Sequence, residues 1–131
     1  MRTHVMLVPV VLVLLGATAP GVGSNGSQAA PPTQVVEVSA ERFSFTPSEI
    51  KTVVGTTLTI KLRSDDTAHG FRIVGTDVNV ELPKRGRGVA TATFVAERAG
   101  RYTFECSKLC GAGHGFMRGV IIVSETAAGQ R

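Results

Sequence analysis

Thr57-Leu58-Thr59-Ile60-Lys61-Leu62-Arg63 alternates polar and apolar side chains without a break. Successive side chains of an extended chain point to opposite faces, so Leu58, Ile60 and Leu62 share one side while the threonines, Lys61 and Arg63 share the other. That is a strand buried on one face. Val35–Val38, Phe43–Phe45, Phe71–Val74, Val78–Leu82, Val89–Phe94, Tyr102–Glu105 and Gly119–Val123 are further short runs of β-branched or aromatic residues, separated by Gly, Pro, Asp and Ser clusters. No capped helical stretch of about 12 residues lies among them. The pattern predicts an all-β fold, a two-sheet sandwich of seven or eight antiparallel strands with Greek-key connections. Pro47 predicts a sheet edge or a crossover between sheets, and Lys84-Arg85-Gly86-Arg87 reads as a solvated basic hairpin turn.

Outward from these strands the composition changes. Arg2 and His4 precede an aliphatic run, Val5–Leu15, broken only by Pro9 and followed by Gly16-Ala17-Thr18-Ala19. This is the order of a secretory signal, and the run is short of the ~20 apolar residues of a membrane span. Residues 1–23 are therefore expected to be a signal peptide or a single membrane anchor, and residues 24–34, rich in Pro, Gly, Ser, Asn, Gln and Ala, a flexible linker. Residues 35–125 form the domain and 126–131 a flexible tail. The 131 residues leave room for one such domain. Their 14 Lys and Arg outnumber 10 Asp and Glu, and with Arg2 and Arg131 outside the domain its balance is only +2, too mild to argue for nucleic acid.

The domain is poor in side chains that bind soft metals, and those it has are grouped. Cys106, Cys110, His114 and Met117 fall in one loop, Cys106-Ser107-Lys108-Leu109-Cys110-Gly111-Ala112-Gly113-His114-Gly115-Phe116-Met117. His69 ends the strand that begins at Thr57, after the turn Ser64-Asp65-Asp66-Thr67-Ala68. Thiolate and thioether select copper or another soft metal, and imidazole suits copper, zinc or iron. Glycines 111, 113 and 115 let the loop turn between donors. Asp65-Asp66 stand where an acidic residue would orient His69, although aspartates also serve turns. No Ser-His-Asp set remains once both domain histidines are used as donors, and the loop glycines lack the Gly-Lys-Ser/Thr of a phosphate loop.

The run from Cys106 to Met117 resembles the dinuclear CuA loop of the periplasmic domain of cytochrome c oxidase subunit II and of the matching domain of nitrous oxide reductase. Asp66-Thr67-Ala68-His69-Gly70-Phe71 is similar to that family's upstream histidine segment, and the likeness extends over Val35–Val123. The resemblance implies a cupredoxin sandwich in which Cys106 and Cys110 bridge two copper ions. It further implies that His69 and His114 each bind one copper, with Met117 and the backbone carbonyl of Lys108 as weak ligands. It implies an exported, periplasmic electron carrier, tethered to the membrane or free, with a cytochrome c-like donor and a haem-copper oxidase-like acceptor. Many members have glutamate where Lys108 stands. A cation there is expected to favour the thiolates and raise the reduction potential. The chain also departs from the family in having at most one membrane segment before the domain and no Trp.

Other readings use the same residues differently. His69, Cys110, His114 and Met117 alone are the donor set of a mononuclear blue-copper carrier, with one ion and Cys106 left over. A copper chaperone or storage module for oxidase assembly would exchange its metal readily. A structural secreted sandwich would join the two cysteines as a disulfide.

Overall fold

The computed structural model describes residues 29–125. The expected signal or anchor, residues 24–28 of the linker and the tail lie outside them. Among the described residues nine strands follow in order: β1 Thr33–Glu41, β2 Ser44–Thr46, β3 Glu49–Val53, β4 Thr57–Ser64, β5 His69–Ile73, β6 Asn79–Leu82, β7 Ala90–Val95, β8 Gly100–Glu105 and β9 Arg118–Ser124. A 3-10 turn, His114–Phe116, precedes β9. β1 starts two residues inside the stretch read as linker.

The strands form two sheets, β2-β1-β4-β7 and β3-β9-β8-β5-β6. The sandwich expected from the alternating runs is present, but its pairing is mixed. β1 runs parallel to β4 and β3 parallel to β9, while the remaining pairs are antiparallel. β3 is the strand the sequence reading did not contain. Pro47 separates β2, on the edge of one sheet, from β3, on the edge of the other, and so marks the expected crossover. The basic run 84–87 is not in a hairpin. It joins β6 of one sheet to β7 of the other and folds back on itself through a hydrogen bond from Arg87 N–H to the Lys84 carbonyl.

Alternation places the core. In β4, Leu58, Ile60 and Leu62 are buried while Lys61 and Arg63 face water. Val38, Ala40, Ala92 and Phe94 extend that inner face, and Ile50, Phe71, Ile73, Phe104, Ile121 and Val123 oppose it from the second sheet. Each fully buried Leu, Ile or Phe of this size stabilises the fold by roughly 1.5–3 kcal/mol. Phe45, Phe71 and Phe104 form a three-ring cluster with centroids 5.0–5.7 Å apart. This cluster underlies the β5 and β8 ends from which the metal-type donors emerge.

Candidate metal centre

β5 and β8 are antiparallel neighbours, with Arg72 opposite Glu105 and Ile73 opposite Phe104. Continuing the pairing past Glu105 carries Cys106 beside the first residues of β5, where His69 and Gly70 lie. His69 therefore does not end β4, as its place in the sequence suggested. It opens β5, in the opposite sheet. The loop from Cys106 to Met117 is closed at its base by a hydrogen bond from Cys106 N–H to the Met117 carbonyl at 3.0 Å.

All five side chains singled out in the sequence meet at this pole. Cys106 Sγ and Cys110 Sγ are 3.8 Å apart. His69 Nδ1 lies 3.9 Å from Cys106 Sγ, and His114 Nδ1 lies 3.8 Å from Cys110 Sγ. Met117 Sδ is 3.9 Å from Cys110 Sγ, and the Lys108 carbonyl oxygen is 3.1 Å from Cys106 Sγ. His69, Cys106 and Cys110 alone bring three donor atoms within 4.8 Å of one another. His69, Cys106, Cys110 and Met117 are buried, and His114 is partly exposed.

The donor set fits copper. The cysteines are free, and 3.8 Å between sulfurs is well beyond a disulfide bond of ~2.04 Å. It is also less than twice a metal–thiolate bond of about 2.3 Å, so one ion reaches both sulfurs. Burial pushes the Cys110 thiol up to about 11, reinforced by the hydrogen bond and charge of Cys106 and by the charge of Asp66, with Arg42 pulling the other way. Without metal that thiol is neutral at pH 7, and a soft cation binds by displacing its proton.

Asp66 sets the His69 ring. Its Oδ1 lies 2.6 Å from His69 Nε2, and its Oδ2 accepts from Arg42 N–H at 2.9 Å. Burial alone would raise the Asp66 carboxyl. The hydrogen bond with His69, those from the backbone of Arg42 and Thr67, and the charge of His69 together outweigh it and hold the carboxyl below its ordinary 3.8. An ionised carboxylate only accepts, so the proton of the neutral ring sits on Nε2 and the Nδ1 lone pair faces the thiols. Ser64 shapes the turn that delivers Asp66, donating from its hydroxyl to the Thr67 carbonyl and accepting from Asp66 N–H. Asp65 does not join in; it pairs with Arg63 at 2.7 Å.

Three details alter the reading of the loop. Only Gly111 among its glycines has a positive φ, +144°. Gly113 is required by space, since a Cβ there would stand inside the Phe43 ring, and Gly115 meets neither constraint. Lys108 Nζ is 2.7 Å from Glu81 Oε1 on the surface, so its charge is balanced locally and has less hold on the thiolates than an isolated cation. Gly70 is a residue the sequence reading passed over. Its N–H points at Cys106 Sγ at 3.5 Å, and an added Cβ would lie 2.7 Å from the Lys108 nitrogen. Arg42 and Phe43 were also missed, because a turn far upstream carries no local mark of what it packs against.

A family model described as a cupredoxin-like domain matches residues 5–123, and the chain belongs to that family. Within it the chain belongs with cytochrome c oxidase subunit 2. Two proteins of that name from Thermus thermophilus are each 37% identical over 99 residues, 75% of this chain, and the match covers 71% of one and 57% of the other. A solved haem-copper terminal oxidase dimer contains a chain 34% identical, with TM-score 0.58, covering 70% of this chain and 65% of that one. The periplasmic domain of subunit II of cytochrome oxidase from Bradyrhizobium japonicum, 19% identical, has the same fold, with TM-score 0.63 over 74% of this chain and 88% of that one. Family and donor set together define a copper-binding protein of the electron-transfer class.

Proposed function

We propose that this chain is an extracytoplasmic electron carrier whose centre holds two copper ions of the CuA type. Cys106 and Cys110 bridge them, His69 binds on the Cys106 side and His114 on the Cys110 side, and the Lys108 carbonyl and Met117 are the weak ligands. The observation that carries this reading is the pairing of donors. Each sulfur has its own imidazole, at 3.9 and 3.8 Å, and its own weak donor, Lys108 O or Met117 Sδ. One copper does not use six such groups, and a mononuclear site would leave Cys106 idle beside His69.

When bound, the copper pair supplies a one-electron couple shared over two metals and two sulfurs. The protein's part is geometric. Donors anchored at the ends of β5, β8 and β9 move little when charge changes, Asp66 keeps Nδ1 of His69 as the donor, and burial of both cysteines and Met117 keeps water out. His114 is the partly exposed donor, and the same loop carries Leu109 and Phe116, 80% and 84% exposed, where a partner can approach. On this reading a cytochrome c-like protein delivers electrons and a haem-copper oxidase-like complex receives them, at the periplasmic face, with residues 1–23 as signal or membrane tether.

The test is an absorption spectrum with copper stoichiometry on protein loaded with copper after its thiols are reduced, recorded with the centre oxidised. Two coppers per chain with a purple, near-infrared-absorbing spectrum is the expected result, and one copper with a blue spectrum overturns it in favour of the mononuclear site. Cys106→Ser is expected to abolish the two-metal spectrum, and Met117→Leu to keep both metals and shift the potential.

A further inference from the structure

The two halves of the site come from stretches far apart in the chain, and a third element that offers no metal-type donor touches both. This is the turn between β1 and β2. Arg42 N–H donates to Asp66, the carboxylate that sets His69. The Arg42 side chain donates from Nε to the Cys110 carbonyl at 2.7 Å, across 68 residues of sequence. The ring of the next residue, Phe43, fills the space over Gly111 and Gly113.

The backbone of residues 107–116 is otherwise held from within the loop and by its immediate neighbour Arg118. Its bonds run from His114 N–H to Gly111 and from Phe116 N–H to Gly113, with Met117 N–H returning to His114. Ser107 and Lys108 are tied to Asn79 and Glu81 through side chains alone. The Gly115 carbonyl also accepts from the side chain of Arg118, the residue that opens β9, at 2.6 Å. Among the described residues, the guanidinium of Arg42 is the one group from a distant part of the chain that bonds this stretch of backbone, and it does so at the residue bearing the second thiol. We propose that Arg42 is a positioning residue for the centre, bracing the Cys110 half of the loop in register with the His69 half. The role in metal binding rests on the copper reading above; the brace itself does not require metal.

The test uses the full chain with Arg42→Met and Arg42→Lys. Both keep the backbone N–H that holds Asp66. Methionine removes the donor and the charge. Lysine keeps the charge but places a methylene where Nε stands and moves the donor outward, so the carbonyl bond is lost. In reduced, metal-free protein, amide exchange at His114, Phe116 and Met117 is expected to rise about tenfold in both variants while β4 and β8 are unchanged. In copper-loaded protein, chelator competition is expected to show affinity about tenfold weaker, the usual loss for a disturbed supporting bond, together with shifted absorption bands. Unchanged loop exchange overturns the brace whether or not copper binds. Faster exchange with copper affinity within twofold of the parent overturns its role in the site, and full recovery by Arg42→Lys assigns the effect to charge and overturns positioning. A parent chain that takes up no copper sinks the copper reading instead, and the exchange measurement still decides the brace.

Discussion

Asp66→Asn changes one atom of the carboxylate and is expected to reverse the His69 ring. In the parent, both Asp66 oxygens accept, one from Arg42 N–H at 2.9 Å and one at 2.6 Å from His69 Nε2. Asparagine has one acceptor and one donor to serve the same two neighbours. The Arg42 N–H belongs to the backbone and always donates, so the new side chain keeps its oxygen there and turns its amide N–H to Nε2. Nε2 must then accept, and the ring proton moves to Nδ1, the atom 3.9 Å from Cys106 Sγ. Metal binding then needs that proton to be returned to Nε2, against an amide that also donates. The alternative amide orientation sets two donors face to face near Arg42, a part-buried mismatch of about 1–3 kcal/mol. Either route predicts copper affinity weaker by roughly 10–100-fold, about 1.4–2.7 kcal/mol. Nitrogen NMR of the metal-free protein reads the tautomer directly, and chelator competition reads the affinity. A variant with its proton still on Nε2 and affinity within twofold of the parent refutes the argument.

Two further perturbations follow from the same geometry. The Cys110 thiol lies near 11 in the folded chain against an ordinary 9.0. Its folded form therefore holds the proton more tightly, and the stability this confers is complete below pH 9 and lost as pH rises through 11. Thermal melts of reduced, metal-free protein should show a loss of about 3 kcal/mol over that window, and copper-loaded protein, whose thiols are already deprotonated, should not show it. Gly113→Ala pushes a methyl into Phe43 and is expected to destabilise the fold by about 1–3 kcal/mol by overpacking. Adding Phe43→Ala should recover most of that loss in denaturant unfolding, and a double variant no better than Gly113→Ala alone contradicts the contact.

The parts of the molecule that were legible beforehand are those written locally. Leu58, Ile60 and Leu62 repeat at the strand period, so β4 and its buried face could be read directly. The donors were legible because soft side chains are scarce in the domain and four share one loop. What escaped depends on partners distant in sequence. β3 contains Glu49, Lys51 and Thr52 beside only Ile50 and Val53, and it becomes a strand because β9 lies parallel to it. The run 84–87 looks the same in sequence whether its flanking strands pair with each other or with different sheets. Arg42 has no periodic or compositional signal at all, since its importance comes from two acceptors 24 and 68 residues away.

The direction of β1 has a consequence for how the domain is mounted. β1 starts at Thr33 and delivers Arg42 to the donor cluster at its far end, nine residues on, a climb of roughly 30 Å at strand rise. β9 travels the reverse way, leaving the cluster at Arg118 and finishing at Ser124. Entry and exit of the domain therefore share its base, and the sulfurs crown the opposite summit. Anything attached upstream of Thr33 grips the molecule by its foot and leaves the crown free to meet a visitor from solution.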